Sequence, residues 1–233
     1  MEELQPAFDR NVQCLYCNHK FTTKKIRSRF IKVTNYDSDF RPNYANNQAN
    51  ALYYNISVCP SCGFSFSDDF TKYFAPGTRQ LIQERVASKW IATDYSGERT
   101  ADDAINAYKL AGYCATLKKE KHISIAGIFL RIAWLYREKG EHEQEQRFLK
   151  LARHEYMESY STDDFKGTQV SEVRLLYLAG ELSTRIGDIP AAMKYFSLVI
   201  EKQKQTVETK LIDMAKERWQ EIRDTKKLSE ATN

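Results

Sequence analysis

Two short stretches carry the residues best suited to chemistry: "CLYCNHKF", which begins at Cys14, and "CPSCGFSF", which begins at Cys59. Each is a Cys-x-x-Cys pair with a Phe four residues after its second Cys, at Phe21 and Phe66. A metal held tetrahedrally by sulfur needs four thiolates converging on one point, and a Cys-x-x-Cys turn brings two of them to the same side of a tight backbone loop. Two such turns complete one site, so Cys14, Cys17, Cys59 and Cys62 are the expected ligands. Pro60 fixes φ inside the second turn, while Gly63 and Asn18, each just past its pair, are residue types that accept positive φ and so let backbone amides face sulfur. Nothing suggests an open ligand position, and closed four-sulfur sites are usually structural, so the expected ion is zinc. Iron in a rubredoxin-like site uses the same ligand set. A thioredoxin-like redox pair fits poorly, because no βαβ pattern surrounds either turn.

Other reactive side chains have bland environments. Cys114 lies among Ala111, Tyr113 and Leu117 in a helical pattern, where a thiol packs rather than reacts. His19 follows Cys17 closely, but four sulfurs already fill a tetrahedral set. His122, His142 and His154 have no Ser or Asp grouping to recruit them, and there is no phosphate-binding glycine loop. The chain therefore reads as non-enzymatic. Asp37, Asp39 and Arg41 raise the idea of a polar site beside the metal, although acidic residues in turns more often cap or pair with nearby cations.

Composition narrows the partners. The 233 residues hold 35 basic and 31 acidic side chains, too near neutrality to imply a polyanionic partner by total charge. The distribution is uneven: from Arg10 to Tyr36 the chain carries seven basic residues and no acidic one. Lys24, Lys25, Arg27 and Arg29 in that run are candidates for phosphate contacts, with Phe21, Phe30 and Tyr36 placed for base stacking, which gives nucleic acid as the alternative partner. The N-terminus lacks a secretory pattern. The most apolar run, "ISIAGIFLRIAWLY", is shorter than a membrane span and contains Arg131. A cytoplasmic protein without a membrane segment is expected, and in a reducing compartment paired cysteines bind metal more often than they form disulfides.

These residues must be positioned by two kinds of structure. From Val12 to Phe66 the chain is rich in Tyr, Phe, Val and Ile in short runs such as "IRSRFIKV" and "ALYYNISV", which read as strands, separated by the loop-like "NYDSDFRPNYANNQAN". From about Pro76 onward apolar residues recur every three or four positions, the mark of helices. The expected fold is α+β, with a small β-rich, zinc-ribbon-like module over residues 1–70 and an all-α array of about six or seven helices over 71–233. Thr100, followed three residues later by Asp103, has the form of a capping box. Gly140 and Gly187 each close one amphipathic run just before another begins, giving two helical hairpins.

The hairpins resemble tetratricopeptide repeats. Ala133 and Gly180 take the small-residue positions of the first helices, and Leu149 and Phe196, with Ala152 and Val199, the packing positions of the second. Ala192 fits the small-residue position before them and Glu145 does not. The two glycines are 47 residues apart, against about 34 in that family, so "STDDFKGTQ" from Ser161 reads as an inserted loop. Helical repeats have surface rather than chemistry, and their usual use is to hold a peptide or another protein. Arg131, Tyr136, Arg137 and Arg174 are the candidate contacts, because Arg and Tyr most often carry interface energy.

A second resemblance spans most of the chain. "CLYCNHKFTTKKIRSR", "DSDFRPNYANNQANALYYNISVCPSCGFSFSDDF" and "LRIAWLYREKG" are similar to the uncharacterised bacterial proteins grouped as domain of unknown function 2225. The most specific elements are Asp37 to Phe40, the pair Tyr53 and Tyr54, and Cys59 to Gly63, with Phe64 standing where Tyr is expected. The resemblance implies a bacterial, cytoplasmic protein that joins a metal knuckle to tetratricopeptide-like helices, and it brings no activity with it.

Overall fold

The computed structural model of the chain describes residues 4–45 and 50–231. The fold is α+β: small antiparallel hairpins in the N-terminal region, then helices. Two compact units are present, one running to Glu120 and resuming at Gly127–Glu145, the other made of Lys121–Ala126 and the chain from Gln146 on.

In the first unit, β1 (Ala7–Gln13) pairs with β2 (Lys20–Ile26) in a register that runs from Ala7 opposite Ile26 to Gln13 opposite Lys20. The turn at its tip is the first Cys-x-x-Cys. β5 (Ser57–Val58) pairs with β6 (Ser65–Phe66), and the turn between them is the second. Between these hairpins the "NYDSDFRPNY" stretch is not a loop. It forms β3 (Val33–Tyr36) and β4 (Pro42–Tyr44), joined by a tight turn in which the Asp37 amide donates to the Arg41 carbonyl at 2.9 Å and Phe40 adopts φ of 66°. Residues 46–49 of the expected loop lie outside the described residues.

The two apolar runs expected as strands are each part strand and part 3₁₀ turn, at Ser28–Phe30 and Ala51–Tyr54. Asn50 explains the second: its side chain accepts from the Leu52 amide at 3.0 Å, offering the backbone a capped turn in place of a ladder. That turn buries Leu52, at 6% exposure.

Helices α1 (Thr78–Arg85) and α2 (Ala101–Lys118) complete this half of the core. The capping box at the start of α2 is present in both directions: the Asp103 amide donates to Thr100 Oγ1 at 3.2 Å and the Thr100 amide to Asp103 Oδ2 at 3.0 Å. α2 packs on β5 and β6 and buries Ala104, Tyr108, Ala111 and Cys114 completely or almost so. α3 (His122–Lys139) contributes Ile132, Ala133 and Leu135, each fully buried.

α4 (His142–Thr162) carries the chain into the second unit. Of the expected insertion, Ser161 and Thr162 belong to α4, and the turn beyond it has a job: the Asp164 carboxylate accepts from the amides of His122 and Ile123, capping the orphan donors at the start of α3. α5 (Glu172–Arg185), α6 (Ile189–Glu201) and α7 (Thr209–Ala231) pack against one another. Gly180 fits its expected place, since a Cβ there would lie 2.8 Å from the Phe196 ring. Gly140 and Gly187 take positive φ of 73° and 80°, as the helix-closing positions require. No helix among the described residues is long and apolar enough to cross a membrane.

Candidate metal centre

The twin motifs fold as twin turns. In the first, the Cys14 amide donates to the His19 carbonyl at 2.9 Å and the Asn18 amide to the Cys14 carbonyl at 3.0 Å. In the second, the Cys59 amide donates to the Phe64 carbonyl at 3.1 Å and the Gly63 amide to the Cys59 carbonyl at 2.8 Å. Asn18 and Gly63 hold equivalent places with φ of 62° and 71°, as their residue types predict. Backbone amides within each turn face sulfur. Tyr16 and Cys17 present their N–H groups to the Cys14 sulfur, and Ser61 and Cys62 present theirs to Cys59.

The four sulfurs lie within 4.8 Å of one another. Across the turns, Cys14 Sγ is 3.7 Å from Cys62 Sγ, and Cys17 Sγ is 3.6 Å from Cys59 Sγ. A tetrahedral ion with metal–sulfur bonds of about 2.3 Å separates its sulfurs by about 3.8 Å, so the cluster has the size such an ion needs. All four cysteines are free thiols rather than disulfides. Three are buried and Cys17 is exposed.

The electrostatics agree with a cation. Thiol hydrogen bonds from Cys14 and Cys62 pull Cys59 down to about 2. Cys14 is pushed up to about 12, first by its bond to Cys59, and Cys62 is pushed up by its bonds to Cys14 and Cys59. One thiolate forms easily and the next ones form against it, so the fully ionised set requires positive charge at its centre.

Several side chains that no spacing rule singles out hold the turns in place. Trp90 donates its indole N–H to the Pro60 carbonyl at 2.9 Å, and its ring lies so close to Gly63 that a Cβ there would overlap it. Gly63 is thus required twice, for its φ and for the ring. On the first turn, Tyr16 donates from its hydroxyl to Gln83 at 2.7 Å and accepts Arg79 on its carbonyl at 3.0 Å, which ties α1 to the knuckle. Phe64 and Phe74 pack beneath, with ring centroids 5.8 Å apart. The only sequence signals for these residues were an isolated Trp and an aromatic between the first two cysteines.

Elsewhere in the unit, Arg99 is a buried cation whose five N–H donors are all used, on the carbonyls of Tyr53, Ile56 and Tyr95 and on Thr23 Oγ1. Cys114 accepts the Ser65 amide at 3.4 Å and is pushed up to about 12 by burial, the state of a packed thiol.

The remaining sequence candidates are dispersed. Of the basic run, Lys24 pairs with Asp9 at 2.7 Å, Lys25 lies 4.0 Å from Asp68, and Arg27 and Arg29 stack over Phe8 and Phe30. Of the proposed partner contacts, Arg131 donates to the Gly127 carbonyl at 2.9 Å, and Arg174 is half-buried on α5. Tyr136 is 5% exposed, an interior residue. Arg137 is interior as well: its guanidinium bonds Asp37 at 2.8 Å, Asp39 at 2.7 Å and Glu145 at 2.6 Å. The same network accounts for Glu145 at a position where repeats place a small residue, and it gives Asp37 and Asp39 an internal cation rather than a separate site.

A pair of hairpin turns presenting four converging thiols, set on an α+β frame, defines a class: proteins with a four-cysteine centre able to hold a metal ion. Within that class the chain belongs to a bacterial family, DUF2225, described as an uncharacterized protein conserved in bacteria, whose model matches residues 7–222. No curated protein and no solved structure matches it.

Proposed function

We propose that this chain is a non-enzymatic, zinc-binding interaction protein of the bacterial cytoplasm, whose tetratricopeptide-like helices hold a protein or peptide partner. Cys14, Cys17, Cys59 and Cys62 would hold the zinc, which balances the thiolate charge and ties the two hairpins together. The observation that carries the partner reading is an apolar groove of about 960 Å³ in the second unit, formed by α6, α7 and the end of α5. Clefts of this size lined mainly by apolar side chains are where proteins take up ligands. Every cysteine of the thiol cluster is committed to the first unit's structure, so recognition falls to the helices.

The reading is tested by metal analysis of protein purified from its native host and by affinity capture under zinc-preserving conditions, with nuclease treatment. The expected result is about one zinc per chain and a nuclease-resistant protein partner. Capture of nucleic acid alone, or of no macromolecule, overturns it.

A further inference from the structure

The groove of the second unit has a specific chemical character. Its floor is Ile189, Met193, Trp219 and Ile222, of which Ile189 remains 36% exposed. Three charged side chains stand at the rim, and two of them cancel: Arg218 bonds Glu221 at the rim and Glu181 beneath it. Arg223 is the exception. Its guanidinium lies 5.3 Å from the Trp219 ring centroid and has no carboxylate partner among the described residues. A cation held over an aromatic face, beside apolar surface and with no counter-charge among the described residues, is ready for a carboxylate brought by something else.

The dimensions favour a helix as the occupant. The lining residues of α7 run from Arg218 to Thr225, two helical turns or about 10 Å at 1.5 Å per residue. That length accepts side chains at i, i+3 or i+4 and i+7 of a helix laid between α6 and α7, the arrangement by which amphipathic helices enter grooves. A nucleic acid is disfavoured, because a mainly apolar floor with, among the described residues, Arg223 as its one cation lacking a carboxylate cannot neutralise a row of phosphates.

We infer that the α6–α7 groove binds an amphipathic helix of a partner protein through its apolar stripe, with an Asp or Glu of that helix paired to Arg223. This rests on the interaction role proposed above and names the site and the partner's chemistry.

The test uses the full-length, metal-loaded chain as bait for a displayed library of helical peptides. Enriched peptides should carry an apolar i, i+4, i+7 stripe and an acidic flank. Fluorescence anisotropy of the best labelled peptide should show binding abolished in Met193→Glu, which places a charge on the floor. Binding should weaken on the order of tenfold or more in Arg223→Glu, through like-charge opposition. A peptide with Lys in place of its acidic residues should recover affinity for Arg223→Glu. Circular dichroism and thermal unfolding of both variants should match the parent, since both side chains lie at the surface of the groove. Failure to enrich any helix, equal binding by the parent and both variants, or a concentration-dependent dimer that Met193→Glu abolishes would each overturn the assignment. Capture of the cellular partner by Met193→Glu as well as by the parent would refute the groove and leave the interaction role standing. A parent chain that retrieves no protein would refute the role itself.

Discussion

Replacing Arg137 with Met tests whether the Asp-Ser-Asp-Phe element exists to hold α3. In the folded chain Arg137 faces three carboxylates, and the Asp39 side chain is 0% and that of Glu145 8% exposed. Asp37 is less dependent, because it keeps Asn43 at 2.7 Å and Arg41 at 3.9 Å. Removing the cation leaves the Asp39 carboxylate buried without its guanidinium, while the Trp134 indole N–H still donates to it at 3.1 Å. Breaking a buried pair on one side costs about 3–5 kcal/mol, most of it the uncompensated charge left behind. Urea unfolding followed by Trp90 and Trp134 fluorescence, in a Trp219→Phe background, should show that loss in the first unit's transition. The double variant Asp39→Asn, Arg137→Met should recover at least about 1 kcal/mol, because it removes the stranded charge as well as the cation. The dependence on pH has a definite sign. Burial pushes the Asp37 carboxyl up, but the Asn43 and Arg137 hydrogen bonds and the Arg137 charge outweigh it and hold it below its ordinary value. Its contribution is therefore full above the unfolded carboxylate pKa of about 3.9 and is lost as pH falls through the lower folded value. The gap between parent and variant should narrow in that acid range. A loss under about 1 kcal/mol in Arg137→Met, or no recovery in the double variant, would refute the clamp.

Cys59→Ser should abolish stoichiometric metal binding and the first unit's unfolding transition while most helical ellipticity survives, which metal analysis and far-ultraviolet circular dichroism would register; full metal retention would refute the ligand set. Gly63→Ala should cost roughly 2–4 kcal/mol, combining the left-handed backbone penalty with displacement of the Trp90 ring and its hydrogen bond, and should speed metal transfer to a chromophoric chelator. Gly180→Ala should destabilise the second unit by about 1–3 kcal/mol through overpacking on Phe196 and leave metal content unchanged; denaturant titration and metal analysis separate the two effects.

The sequence was most informative where covalent geometry and charge act locally. The cysteine spacing, the positive φ of Asn18 and Gly63, the capping box at Thr100 and the helix-closing glycines each involve residues within a few positions of one another, and each is present. Most of the differences concern partners distant in the chain. The "DSDF" stretch reads as a loop because its polarity is high, yet its carboxylates are satisfied by Arg137 a hundred residues on, which allows β3 and β4 to close a tight hairpin. "ALYY" reads as a strand by composition, but Asn50 caps a turn there. Tyr136 and Arg137 read as surface residues because charge and aromaticity carry no sign of the groups they meet, and no periodicity discloses that Asp39 lies buried opposite.

The three elements on which the family resemblance rests share a physical role. Cys59 to Gly63 forms half of the thiol cluster, Asp37 and Asp39 fasten to Arg137, and Tyr53 donates to Glu138 at 2.6 Å while its neighbour Tyr54 accepts the Arg99 amide at 3.3 Å. Each joins a short irregular segment to something far along the chain. Two-stranded hairpins have too little apolar surface to stand alone in water, so the N-terminal region needs such fastenings: a thiol cluster able to hold a metal at the hairpin tips, and Arg99 and Arg137 at the segments between. Buried cations suit this task, because a guanidinium directs several hydrogen bonds in fixed directions and therefore sets register as well as proximity. The residues on which the family resemblance rests thus define how the first unit is built, and the groove proposed above for a partner is lined by none of them.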